Sequence, residues 1–370
     1  MTARWRGTAL FLAVAVLVLV VAPAALDPFR LGLLAKYLCF AIVALGIGLA
    51  WGQGGMLTLG QGVFFGLGGY SMAMYLKLHD AGPGSLPDFM VWSGVEQLPA
   101  LWKPFTNPVF AIAAAVAVPA VAAAILGFLV FRQRVRGAYF AILSQALAAA
   151  FVIWLVGQQG LTGGTNGLTH FYDVFGRDPE DDGSKRVFYF VVALVLGALY
   201  LLCRQLVKSR FGRLLVAVRD GEDRVRFLGY NPATVKTVAY AASAAMAGIA
   251  GALYVPVVGI ISPSLLGVVP SIEFVVAVAI GGRFSLAGAA LGGVLLNWAQ
   301  TTFSEQYPSG WVYLLGLMFI LVIMLAPGGV AGTVRQAGDA LARRRARTRP
   351  PPATGAAVTA AAGEKEVAAP

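Results

Sequence analysis

The chain has 370 residues, of which 58% are hydrophobic and only 12% charged. A water-facing surface ordinarily needs about a quarter of its residues charged, so this composition excludes a soluble enzyme, a disulfide scaffold and a disordered chain, and leaves a polytopic membrane protein. The net charge of +11 would equally suit a nucleic-acid binder, and only the placement of the basic residues separates that reading from the orientation bias of a membrane protein.

Apolar stretches near bilayer length predict an all-α transmembrane bundle of ten spans, at 8–25, 31–51, 59–76, 109–131, 138–156, 187–203, 237–256, 271–282, 286–301 and 311–326. The first follows Arg4 and Arg6 and ends on Ala22-Pro23-Ala24, which imitates a cleavable secretory signal. It reads here as a retained helix. The eighth is short enough to be half a helix or a re-entrant segment.

Residues 51–76, around the third span, are rich in glycine and carry Gln53, Thr58 and Gln61. Glycine lets backbones approach closely or a helix unwind at depth, and Gly62 and Gly66 form a G-x-x-x-G pair. Close packing and a polar pathway both fit this segment. At the outer end of the fifth span, Gly, Thr and Asn at 161–171 predict a turn that includes Thr165 and Asn166. Residues 204–236 alternate apolar positions with Arg213, Arg219, Arg224 and Arg226, and read as two short helices interrupted near Gly221. Such an amphipathic connection suits a lipid surface or a protein partner. Between 248 and 297, Gly281-Gly282 and the Gly288/Gly292 pair predict a hairpin of short packed helices. Residues 333–370 are basic and Pro/Ala-rich, and predict a disordered tail beyond a membrane domain ending near 332.

With the N-terminus in the cytoplasm, these spans place 21 Lys and Arg against 6 Asp and Glu inside, and 7 against 11 outside, which together return the net +11. Any miscounted span would invert every later loop and destroy the separation. The expectation is therefore an even number of spans with both termini cytoplasmic. The positive charge records membrane orientation, not nucleic-acid binding.

The sequence has no G-x-x-x-x-G-K loop followed by Ser or Thr, no H-E-x-x-H and no G-x-S-x-G. His79 and His170 fall in outer loops, and Cys39 and Cys203 lie in apolar runs without a partner motif. Glu273 is expected close to the outer edge of the eighth span. With no ionisable group evident at mid-membrane, nothing points to coupling with an ion gradient. The chain reads as a non-enzymatic transport component whose energy comes from elsewhere.

Longer strings carry a specific resemblance. SRFGRLLVAVRDGEDRVRFLGYNPATVK, AGIAGALY, SIEFVVAVAIGG and SLAGAALGG resemble the permeases of branched-chain amino acid type ABC importers. Within that family, GQGGMLTLGQGVFFGLGGYSMAMYLKL, LPDFMVWSGVEQLP, GGTNGLT and GWVYLLGLMFILVIMLAPGG resemble the second permease of urea importers. The likeness runs from about residue 31 to 332 and departs at Gly282-Arg283-Phe284-Ser285, where many relatives have a further glycine.

The resemblance implies an inner-membrane subunit that pairs with a related permease. Two cytoplasmic ATPases would dock beneath and a periplasmic binding protein would deliver substrate from above. ATP would then bind the partner subunits, and this chain would hold no cofactor. Residues 209–232 become the expected ATPase contact, with Arg213, Arg219, Asp220, Glu222 and Arg224 as polar contacts and Phe211 and Leu214 packing into a cleft. Urea is the implied substrate. A neutral molecule rich in donors and acceptors suits Gln53, Thr58, Gln61, Gln145 and Asn297 along a path, with Thr165 and Asn166 at its outer mouth. A branched-chain amino acid permease is the alternative within the family. A self-sufficient channel or secondary carrier is the alternative from another class.

Overall fold

A computed structural model describes residues 16–135, 137–307 and scattered positions from 310 to 333. After short helical turns at Leu17–Val21 and Ala22–Ala25, the main helices are α1 (Pro28–Gln53), α2 (Gln61–Ala81), α3 (Pro108–Arg132), α4 (Ala138–Gly157) and α5 (Asp182–Lys208). They continue with α6 (Arg210–Phe227), α7 (Pro232–Val258), α8 (Val268–Gly281) and α9 (Leu286–Gln306). Single-turn helices occupy Asp88–Trp92, Lys103–Thr106, Gln159–Thr162, Gly164–Asn166 and Pro263–Leu266.

Local chemistry sets where these helices begin. Asn107 and Asn231 each accept from the backbone N–H two residues on, at 2.9 and 3.0 Å, and each precedes a proline at the first helical position. Asp181 caps α5 by accepting from Gly183 N–H, and Ser285 caps α9 by accepting from Gly288 N–H, at 3.1 Å each. Helix α7 stops at Gly259, whose φ of +75° closes the helix in a left-handed turn.

Helices α1, α3, α4, α5 and α7 are long and apolar enough to cross a membrane, and α8 is a shorter apolar helix. Helices stand at the predicted second to ninth positions with shifted ends: the third starts two residues later and runs to Ala81, and the sixth extends to 182–208. Those at the third and ninth positions, α2 and α9, are not among the helices long and apolar enough to cross. In the predicted first span residues 17–25 are helical. Its earlier part, most of the tenth and the tail from 334 lie outside the described residues.

Burial separates centre from rim. Within their most apolar stretches, 78% of α1 and 61% of α7 are buried, against 28% for α3, 28% for α4 and 22% for α5. Rim helices turn Val109, Ile112, Val121, Ile125, Leu194 and Leu202 outward, as lipid-facing surfaces do. Helix α7 packs against α1, α2 and α3. At its crossing with α2, a Cβ on Gly251 would collide with the backbone of Phe65, so only glycine permits the contact. The predicted α8–α9 hairpin is present, with Gly281 against Gly288 and Gly292 against Ala277. Gly62 packs against Leu266 in the turn before α8 and Ser271 at the start of α8, and Gly66 packs against the Leu266 side chain.

Among the described residues, one short β pair departs from the helical fold. Leu168–Thr169 pairs antiparallel with Ile260–Ile261, which ties the 161–171 turn to the descending segment ahead of α8. That segment carries α8 into the bundle. In α8, Glu273 precedes Phe274, whose ring sits 5.5 Å from that of Phe40, midway along α1.

Candidate functional site

Two layers of polar structure surround the interruption between α1 and α2. Helix α1 loosens into a π-helix over Gly48–Gln53, and residues 54–60 are not helical before α2 starts at Gln61. The interruption exposes backbone donors that an uninterrupted helix would satisfy. Neighbouring hydroxyls accept them. Leu59 N–H donates to Ser144 Oγ at 3.0 Å, Gly60 N–H to Thr58 Oγ1 at 3.4 Å and Gly62 N–H to Ser271 Oγ at 3.1 Å. Gln61 Nε2 donates to Ser243 Oγ at 3.0 Å. Serines from α4, α7 and α8 thus converge on one break. Thr58 and Gln61 are fully buried, and Gln61 Oε1 has no hydrogen-bond partner.

The other residues expected along a path do not join this network. Gln145 is half-buried beside Ser144, and Asn297 donates to Gly293 O of its own helix at 2.8 Å. Thr165 and Asn166 are exposed on the 161–171 turn. Gln53 reaches Phe284 O at 3.4 Å, where α1 gives way to the break. Sequence reasoning missed Ser144, Ser243 and Ser271 altogether. Their only sequence signal is a small hydroxyl in an otherwise apolar helix.

The second layer surrounds α6. Helix α6 is two helices joined at Gly221, as the sequence predicted, and Ser209 caps its start by accepting from Gly212 N–H at 3.3 Å. Leu215, Val218 and Val225 are buried. Phe211 and Leu214, expected to fill a partner's cleft, are half-buried with their apolar atoms against the chain's own core. Arg219 also points inward: Nη1 donates to Gly52 O at 2.7 Å and Nε to Asp220 Oδ1 at 2.8 Å. That second bond holds the Asp220 carboxyl below the usual carboxylate range. Arg283 stacks over Trp51 and Phe284, at 5.3 and 4.6 Å from the ring centroids. Glu222 accepts from both Lys236 of α7 and Arg226. Between these groups lies a cavity of about 430 Å³, lined among others by Gly54, Gly55, Gly137, Arg219 and Lys236.

The outward face of α6 is left with Arg213, Asp220 and Arg224. Just beyond it Phe227, Leu228 and Tyr230 are 92%, 75% and 55% exposed. An apolar knob of this kind beside a charged face marks an interaction surface. Phe227 and Tyr230 were not singled out by the sequence. Their signal was an aromatic on each side of the turn at Gly229, at the end of an amphipathic helix.

Comparison with known proteins gives the class. A model of the branched-chain amino acid transport system / permease component family matches residues 29–325, and the chain belongs to that family. It is 27% identical over 314 residues to the high-affinity branched-chain amino acid transport system permease protein LivM of Salmonella typhimurium. To LivM of Escherichia coli it is 28% identical over 314 residues; each alignment spans 78% of this chain and 67% of the relative. A shorter similarity, 30% over 151 residues, links it to the permease protein BraD of Pseudomonas aeruginosa and covers 40% of this chain and 47% of that protein. No solved structure matches the chain significantly.

Proposed function

We propose that this chain is the membrane-spanning permease subunit of a binding-protein-dependent ABC importer for urea. In this reading ten spans place both termini in the cytoplasm of an inner-membrane protein. A related permease completes the route, a periplasmic binding protein delivers substrate, and ATP is bound and hydrolysed on two cytoplasmic partners. The observation that carries the transport role is α6, a family-typical cytoplasmic segment buried on one face and exposed on the other. Its inner face reaches the end of α1, while Arg213, Arg224, the Arg219-bound Asp220 and the Phe227–Tyr230 knob are exposed toward a partner. The ATPase contact therefore falls to that exposed face and knob rather than to Phe211 and Leu214.

Urea follows from the strings shared with urea permeases, and the hydroxyls and amides at the break are compatible with a neutral amide. The names of the aligned relatives favour a second reading, a branched-chain amino acid permease. Uptake of labelled urea and of labelled leucine, in a strain deleted for the gene and complemented with it, distinguishes the two. Restored urea uptake without leucine uptake supports the first reading, and the converse supports the second.

A further inference from the structure

The turn Gly282-Arg283-Phe284-Ser285 joins α8 to α9, and it is where the sequence departs from the permeases it resembles. Two arginines from distant parts of the chain share the Phe284 ring. The guanidinium carbon of Arg283 lies 4.6 Å from the ring centroid, and that of Arg219, on α6, lies 5.5 Å from it. Arg283 also lies 5.3 Å from the ring centroid of Trp51, in the last turn of α1. Trp51, Arg283, Phe284 and Arg219 thus form one continuous series from α1 through the α8–α9 turn to α6.

Hydrogen bonds join the same three elements. Arg219 Nη1 donates to Gly52 O at 2.7 Å, and Gln53 Nε2 donates to Phe284 O at 3.4 Å. A Cβ on Gly52 would overlap the Arg283 carbonyl, so the end of α1 lies directly on the turn. Phe284 is 50% exposed, so its ring does not serve to fill a core. The faces of an aromatic ring carry negative potential and attract a cation, whereas an aliphatic side chain of similar size does not. Two guanidiniums on one ring repel each other, and their attraction to the ring offsets that repulsion. Arg283 depends on the rings further, because its Nε is buried with no hydrogen-bond partner among the described residues.

The turn and the end of α1 both lead to the interrupted segment. Helix α1 runs into it directly, and α8 carries Ser271, whose Oγ accepts from Gly62 N–H at 3.1 Å. A displacement of α6 that moved α1 alone would strain that contact. We propose that Phe284 is a positioning residue that couples α6 to the α8–α9 turn, so that α1 and α8 move together when a partner displaces α6. The proposal rests on the permease reading, with α6 as the ATPase contact. It adds a second arm of transmission beside the Arg219–Gly52 bond.

The test uses the complete transporter in proteoliposomes, with the related permease, the ATPases and the binding protein. Phe284→Leu keeps an apolar side chain in the turn and removes the ring. The expected result is uptake per ATP hydrolysed reduced about fivefold, as loss of the guanidinium–ring contacts warrants, with the KM for solute unchanged. Phe284→Tyr keeps the ring and keeps the wild-type ratio. Combining Phe284→Leu with Arg219→Ala gives a loss smaller than the product of the two single losses, because the ring acts through the arginine. Four results overturn the proposal: a wild-type ratio in Phe284→Leu, an equal loss in Phe284→Tyr, a raised KM at an unchanged ratio, or a double loss equal to that product. If Phe284→Leu does not reach the membrane, Phe284→Met supplies the same readout. A wild-type complex that takes up no solute with ATP overturns the permease reading, and this proposal with it.

Discussion

Arg219 Nη1 donates to the carbonyl of Gly52 at 2.7 Å, so helix α6 holds the last turn of α1. The next residues are the non-helical stretch that leads to Thr58 and Gln61. Gly54 and Gly55 lie directly beneath Leu215 and Arg219, where a Cβ would approach their side chains to 3.1 and 2.8 Å. A displacement of α6 is therefore passed to the broken helix without an intervening loop. Arg219 acts as a pin between the two.

Arg219→Ala removes that pin but leaves the outward face of α6 intact. The expected result is a complex that assembles and hydrolyses ATP while transporting about tenfold less solute per ATP, as loss of one charge-assisted hydrogen bond warrants. The measurement is the ratio of uptake to hydrolysis in proteoliposomes. Arg219→Lys keeps the charge without the planar fork and should recover only part of the coupling. An unchanged ratio in Arg219→Ala assigns the residue no role in transmission.

Phe227→Asp should act in the opposite way, because the side chain is 92% exposed and its removal costs the fold little. The expected outcome is normal membrane abundance with ATPase co-purification reduced about tenfold or more, as truncating an aromatic interface anchor does. Leu214→Asp, by contrast, places a carboxylate against the core and should lower abundance itself. Equal co-purification of wild type and Phe227→Asp would remove the knob from the interface.

The Glu222–Lys236 pair joins α6 to α7 with both side chains largely buried, at 9% and 11% exposure. Glu222→Ala strands the lysine and should destabilise the protein by about 3 kcal/mol or more, because a buried charge is left without its partner. Pairing it with Lys236→Met should restore part of the loss. Thermal unfolding in detergent reads both effects, and additive losses in the double variant would mean that the pair is not coupled.

Glycine substitutions separate crossing points from open surface. Gly251→Val drives a side chain into the Phe65 backbone and should abolish folding, since overpacking at a helix crossing has no free rotamer to use. Gly197→Ala meets open space and should be neutral or slightly stabilising through helix propensity. Membrane abundance of the two variants is the check.

Much of this architecture was legible in the sequence because apolar run length and glycine punctuation are local signals. The interruption before α2, the kink at Gly221 and the Gly281–Gly292 hairpin all follow from them. What the sequence did not reveal depends on long-range pairing. Ser144, Ser243 and Ser271 become acceptors only because three helices meet one break. Arg219 and Glu222 read as outward docking charges until tertiary packing turns them inward. The two-residue β pair is too short to leave a periodic signal.

The most direct test of the account is solute flux in liposomes that hold this chain, with and without the related permease, the two ATPases, the binding protein and ATP. The account predicts accumulation of labelled urea only when all components and ATP are present, and none through this chain alone. Flux of urea or any other solute through the isolated chain without ATP would contradict it.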